Sequence, residues 1–171
     1  MSASICCLCS LFTECEGFPR PEVVWSSKVN NDKRYHIDGI FTNGGSYWLA
    51  ASQQKGHGFT IKLSNCYLKI AGVQIKNVKH GSKTFHRVTK GYTVLGGVKE
   101  DGQWEQLLKE EFDNPFGGGV SPPNLQTFHL QEAVEVKFIR FDINSYYGGK
   151  GGGLDYFAVI TLSGNCCLSN V

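Results

Sequence analysis

The chain has 171 residues, 41% hydrophobic and 19% charged, with 17 basic side chains against 15 acidic ones. It is too apolar for a disordered chain, and a net charge of +2 gives no basis for binding nucleic acid by bulk electrostatics. One domain is the natural count at this length, and 21 glycines with a single methionine argue against a helical bundle.

Residues 1–18 read as a cysteine-rich tail and residues 19–171 as one domain, its core running from about Pro19 to Gly164. The tail carries Cys6, Cys7, Cys9 and Cys15, while Cys66 stands alone and Cys166 and Cys167 lie near the end. A Cys-Cys-x-Cys run lacks the two-residue spacer usual in zinc sites. The first residues have neither the basic nor the long apolar stretch of a secretory signal, and no run approaches the ~20 apolar residues of a membrane span. Seven cysteines leave at least one thiol unpaired within the chain.

Period-2 patterns dominate the rest of the chain. Phe59, Ile61 and Leu63 alternate with Thr60 and Lys62, which predicts a half-buried strand, with Cys66 beside it as a small core residue. Leu68–Ile75 starts by alternating and shifts parity at Ala71–Gly72, the mark of a bulge. Tyr92–Leu95 is a further strand, and Glu100-Asp-Gly-Gln103 predicts a tight hairpin turn. Gln103–Glu111 is the one helix candidate, since Trp104, Leu107 and Leu108 have helical spacing, although Gly102 and the flanking strands permit an extended reading. Val134, Val136 and Phe138 alternate, then the phase flips to Ile139, Phe141 and Ile143, from a bulge or from cover on both faces. Leu154–Leu162 is nearly all apolar, as a central strand would be. The fold class is all-β, an antiparallel sandwich or jelly roll. Glycine runs at Gly44–Gly45, Gly117–Gly119 and Gly148–Gly153 mark loops.

Five segments, in order, resemble the discoidin (coagulation factor 5/8 type C) family of the galactose-binding-like superfamily. They are His36-Ile-Asp-Gly-Ile-Phe-Thr-Asn-Gly-Gly-Ser-Tyr-Trp48, Gly58–Leu63, Ile70-Ala-Gly-Val-Gln-Ile75, Tyr92-Thr-Val-Leu with the Asp101-Gly-Gln-Trp104 turn, and Val136-Lys-Phe-Ile-Arg-Phe141. The resemblance covers roughly residues 24–164 and implies a discoidin-like sandwich that binds ligands on loops at one end. It departs from the family at Lys79–Arg87 and at the longer, glycine-rich Gly148–Gly153, so ligand preference does not carry across.

The loops so implied are Asp38–Tyr47, Asn77–Arg87, Asp113–Pro123 and Asn144–Gly153. Sugar recognition uses planar donors and acceptors for hydroxyls and an aromatic face for the ring. Asn43, Tyr47, Asn77, His80, His86, Arg87, Phe116, Tyr146 and Tyr147 supply that inventory. The alternative for the 79–87 loop is a solvated charged face. Trp48 and Trp104 are expected in the core. Phe41, Phe116 and Tyr147 are candidates for exposed aromatics that, beside Lys83 and Arg87, would suit an anionic lipid surface. The resemblance also implies a structural calcium held by Asp38 and Thr42, with Asp155 or Glu132 as further oxygen ligands; the alternative is that Asp38 caps its own turn. It implies a disulfide between Cys15 and Cys166 as well, with Cys167, Cys9 or Cys7 as substitutes.

No catalytic motif is present, and His57, His80, His86 and Asp142 have no spacing that requires acid–base work. The expected function is a non-catalytic, lectin-like module for carbohydrate or glycoprotein, with no required cofactor. A protein partner in an intracellular or cell-surface assembly and an anionic lipid are the alternatives. A homo-oligomer would suit weak single-site binding. The resemblance favours an extracellular life; the missing signal leaves a cytoplasmic one open.

Overall fold

A computed structural model describes residues 9–10, 21–27, 36–42, 47–50, 56–65, 67–78, 87–112, 125–149 and 151–162. The strands in chain order are β1 (Cys9–Ser10), β2 (Glu22–Ser26), β3 (Trp48–Leu49), β4 (His57–Lys62), β5 (Leu68–Asn77), β6 (Arg87–Thr89), β7 (Gly91–Gly97), β8 (Trp104–Glu111), β9 (Gln126–Val136), β10 (Phe138–Ile143), β11 (Tyr146–Gly149) and β12 (Gly153–Thr161). One sheet runs β1-β12-β5-β9, with β3 paired to the start of β12; the other runs β2-β4-β10-β7-β8; β6 and β11 form a small sheet of their own. Every pairing is antiparallel. A 3₁₀ turn over Ile37–Phe41 is the helical element among the described residues, and no described helix is long and apolar enough to cross a membrane.

The two large sheets close over one core. Phe59 and Ile61 of β4, Ile139 and Phe141 of β10, and Tyr92 and Val94 of β7 face Val73 and Ile75 of β5 and Phe157 and Val159 of β12. Phe59 is its hub, with the rings of Trp48, Phe141 and Phe157 at 5.4, 5.3 and 5.3 Å. The apolar Leu154–Leu162 run is explained by β12's place between β1 and β5, where its residues are nearly all buried. Cys9–Ser10, in the stretch read as a tail, pairs with Thr161 and Ile160.

The parity shift at Ala71–Gly72 is a bulge, where the register against β9 slips between Ile70 and Gly72. The phase flip at Phe138 has a different cause from either expectation. The chain leaves one sheet at Val136 and enters the other at Phe138, so the same core lies on opposite sides of the two strands. Lys137 makes the crossing, its N–H on Gly97 O and its carbonyl accepting from Leu63 N–H, both at 2.9 Å.

The helix candidate is a strand. Trp104–Glu111 pairs along β7, and a register slip between Val94 and Leu95 leaves Leu107 as an extra residue. That bulge turns both Leu107 and Leu108 toward the core, which imitates helical spacing. Its remaining residues Glu105, Gln106, Lys109, Glu110 and Glu111 are exposed, as an edge strand requires to avoid pairing with another chain. The tight Asp-Gly turn is likewise corrected. Val98–Gln103 is a longer connection in which Gly102 N–H bonds Lys99 O at 3.4 Å, and Gly56 is the described glycine with positive φ. Phe41, expected at the surface, is 2% exposed and packs into the main core from the 3₁₀ turn. Trp48 is fully buried as expected, and Trp104 is half-buried on the edge strand.

Candidate functional site

Register decides which connections meet. His57 lies opposite Ile143, Ile143 opposite Tyr92, and Gly91 opposite Glu111. In the other sheet Asn77 lies opposite Leu154, Ile75 opposite Gln126, and Leu49 opposite Gly153. The chain therefore leaves the sheets after Asn77, Glu111 and Ile143 and re-enters at His57, Gly91, Gln126 and Gly153 at one end of the sandwich. Three of the four loops expected to carry ligand contacts, Asn77–Arg87, Asp113–Pro123 and Asn144–Gly153, spring from this end; Asp38–Tyr47 instead precedes β3, which runs toward this end from Trp48 to Leu49. The small β6–β11 sheet spans it, joined directly to β7 through Lys90 and to β10 through Asn144 and Ser145.

Beneath the rim, strand ends are tied by side chains, of which Asn77 and Thr89 are buried. Asn77 Nδ2 donates to Thr89 O at 2.8 Å, and its Oδ1 accepts from Val78 N–H at 3.0 Å. The Thr89 hydroxyl donates to Gly153 O at 2.9 Å and accepts from Gly153 N–H at 3.1 Å. Ser145 Oγ accepts from Gly91 N–H at 2.9 Å, and Asn144 Nδ2 donates to Thr93 Oγ1 at 2.8 Å. Such a floor satisfies strand-end groups that would otherwise be buried without partners, and it holds the loop bases rigidly. Leu49, Val78 and Val88 form a small apolar cluster here, packed by Tyr47 and Tyr147.

Of the expected site residues, the structure brings Tyr47, Asn77, Tyr146 and Tyr147 to this end. Asn77 is 2% exposed and its carboxamide serves backbone groups, so it belongs to the floor rather than the rim. The Tyr146 hydroxyl is 2.8 Å from His57 Nδ1. The Tyr147 hydroxyl donates to Phe112 O, and Lys90 Nζ lies 6.0 Å from the Tyr147 ring centroid and 3.6 Å from Glu111. Arg87 opens β6 opposite Gly149, which sets its backbone on the rim. Asn43, His80, Lys83, His86 and Phe116 lie outside the described residues, as do Cys15, Cys66 and Cys166. Beside the rim, Gly91, Lys109, Glu110, Glu111, Asn144 and Ser145 line an open depression of about 390 Å³.

Asp38 sits in the 3₁₀ turn with its carboxylate 2.8 Å from His36 Nδ1, and Thr42 follows the turn, exposed. Asp155 is bonded to Lys76 at 2.6 Å, and Glu132 is exposed on β9. Among the described residues no three His, Cys, Asp or Glu side chains converge.

Sequence reasoning misses Thr89 and the supporting roles of Ser145 and Gly153, because a single polar or glycine residue at a strand end carries no signal of what it bonds. In the sequence His57 is only a loose acid–base candidate. It is 1% exposed, its Nε2 has no hydrogen-bond partner among the described residues, and burial lowers its pKa below the ordinary 6.5. Burial likewise raises the Tyr146 hydroxyl above 10.0. Protonation would make both ring nitrogens donors, forcing the Tyr146 oxygen to accept and leaving Nε2–H unanswered. Below pH 6.5 the unfolded chain therefore takes up a proton that the native state resists, and stability rises with pH through that range. The melting temperature is expected to hold above about pH 7 and to fall as pH drops below about 6.5. His57→Gln should remove that segment of the profile, leaving the decline at lower pH from carboxylates.

Residues 23–155 match the family model of the F5/8 type C domain. No curated protein sequence matches the chain. Solved structures share its fold at low identity. Chitosan-binding module 1 of a chitosanase/glucanase from Paenibacillus sp. IK-5 is 11% identical, with a TM-score of 0.62 over 88% of this chain and 97% of that one. The C-terminal domain of a chitobiase from Bacteroides fragilis is 14% identical, with a TM-score of 0.63 over 83% and 93%. The family 32 carbohydrate-binding module of C. perfringens NanJ, solved in complex with galactose, is 11% identical, with a TM-score of 0.59 over 82% and 91%.

Proposed function

The chain belongs to the F5/8 type C domain family, and on that premise we propose that it is a non-catalytic module that binds carbohydrate at the loop end of its sandwich. The observation that carries this reading is the convergence of the loop bases on one end over a floor of satisfied polar groups. Such a floor holds recognition groups in place before the sugar arrives, which lowers the ordering cost of binding. Neighbours of the same fold include modules described as chitosan-binding and as bound to galactose.

In this reading Asn43, His80, His86 and Arg87 supply planar hydrogen bonds to ring hydroxyls, and Tyr47, Phe116 or Tyr147 supplies the aromatic face. Asn77 and Tyr146 act through the positions of Thr89 and His57. No cofactor is required. An extracellular setting with Cys15 bonded to Cys166, and a homo-oligomer that raises avidity, belong to the same proposal.

A glycan array with the wild type, Arg87→Ala and His86→Ala tests the reading. The wild type should bind a defined set of glycans, and either variant should lose it with the melting temperature within ~2 °C. A parallel array with chelator reads any calcium contribution through Asp38 and Thr42. Absence of glycan signal together with a tight protein partner, or with salt-sensitive sedimentation on anionic vesicles, would contradict it.

A further inference from the structure

The outer face of the β2-β4-β10-β7-β8 sheet carries a second set of groups suited to sugar. Ile139, Phe141 and Ile143 of β10 point to the core, so Arg140 and Asp142 point outward. Register places Trp25, Thr60, Arg140 and Leu95 in one row across four strands. The next row toward the rim is Gly58, Asp142, Thr93 and Lys109. Trp25 is 43% exposed, and the Arg140 guanidinium stands 5.9 Å from its ring centroid. Thr60, between them, is only 5% exposed. Arg140 Nε donates to Asp142 Oδ1 at 2.9 Å, which fixes two planar polar groups beside the indole.

Gly58 keeps this face low. A Cβ there would stand 2.2 Å from Phe141 O and 2.9 Å from Asp142 Oδ1. The row then continues into the rim, because Asn144, bonded to Thr93, also lines the 390 Å³ depression with Lys109 and Ser145. With strands about 4.8 Å apart and about 3.4 Å per residue, the path from Asn144 to Trp25 spans roughly 17 Å, more than one sugar ring occupies.

We propose that this face is an extension of the binding site: a neutral oligosaccharide held at the rim runs down it, with a distal ring stacked on Trp25 and hydroxyls bonded by Arg140 and Asp142. The proposal rests on the carbohydrate reading and specifies its ligand as a chain rather than a single sugar. The Arg140–Asp142 pair neutralises itself, which favours an uncharged ligand. A protein partner would want a contiguous apolar centre, whereas Trp25 is the exposed large hydrophobic residue on these two rows, among polar and small neighbours.

Titration calorimetry with gluco-, galacto- and chito-oligosaccharides of one to six residues tests it on the wild type, Trp25→Ala, Asp142→Asn and Arg87→Ala. The hexasaccharide that binds should exceed its monosaccharide in affinity. Trp25→Ala should lose about tenfold for the hexasaccharide and nothing for the monosaccharide. Asp142→Asn, which keeps the side chain's shape, should move in the same direction if Trp25→Ala proves unstable. In a Trp104→Phe background, where Trp48 is buried, the hexasaccharide should also protect indole fluorescence from acrylamide. Chain-length dependence that survives both face variants, while Arg87→Ala abolishes binding, would overturn the extension and leave the rim reading standing. Failure of every sugar at every length would overturn both. Loss of a protein partner on Trp25→Ala without any change in sugar binding would overturn it in favour of a protein interface.

Discussion

Phe59→Ala is expected to lower stability by about 3–5 kcal/mol, the range for truncating a large aromatic in a packed core. Phe59 is fully buried, edge-on to Trp48 and Phe157 and stacked on Phe141, so its ring touches both sheets and the segment entering the rim. Phe59, Phe141 and Phe157 are held by strands bonded on both sides, β4 by β2 and β10, β10 by β4 and β7, and β12 by β1 and β5. Little collapse into the vacated space is possible, and the cavity cost adds to the lost transfer energy. Urea denaturation followed by fluorescence should show a lower midpoint at unchanged slope. A loss below about 1 kcal/mol would mean that the sheets do not close over this ring.

Gly153→Ala is expected to cost about 1–3 kcal/mol by overpacking, and to disturb the rim as well. A Cβ at this position would lie 2.1 Å from Trp48 O and 2.7 Å from Leu49 Cδ2. Trp48 O is backbone on a paired strand and cannot rotate away. Moving β12 instead would stretch the Gly153 bonds to the Thr89 hydroxyl and the Ala50 N–H bond to Gly152 O. The strain therefore reaches Thr89, the Asn77 carboxamide and the base of the β6–β11 sheet. Hydrogen exchange should quicken at Ala50, Val78 and Gly153 while the far hairpin around Gly97–Trp104 keeps its protection. Uniform protection with an unchanged melting temperature would contradict the close approach of β3 and β12.

The clustering of glycine acquires a physical meaning here that composition alone could not supply. Gly148–Gly153 reads in sequence as a loop, yet Gly152 and Gly153 are buried, Gly152 against the side chains of Thr89, Ile143 and Tyr146 and Gly153 where the backbones of β12 and β3 nearly touch. The alternation in Phe59–Leu63 was legible because Phe59, Ile61 and Leu63 pack into the core while Thr60 and Lys62 face outward, although neighbours on β2 and β10 leave Thr60 only 5% exposed and the strand is buried on more than one face. The bulge at Ala71–Gly72 was legible for the same reason. The crossing at Lys137 was not, since a change of sheet and a bulge shift parity alike. Nor was β8 as a strand, because its extra Leu107 reproduces helical spacing. At the site, sequence located three of the loops, but the division between rim and floor depends on who bonds whom across 12 or 64 residues, as with Asn77 to Thr89 and Thr89 to Gly153. Phe41 and Asn77 show the point: an aromatic and a carboxamide beside loops look available, and both are spent inside.

The most direct test of carbohydrate binding at the loop end is an amide chemical-shift map of the labelled protein titrated with the best array glycan. Binding at that end predicts shifts centred on Tyr47, Val88, Tyr146 and Tyr147, with Gly97–Trp104 at the opposite end unmoved. Shifts centred on Gly97–Trp104, or none at saturating sugar, would contradict it.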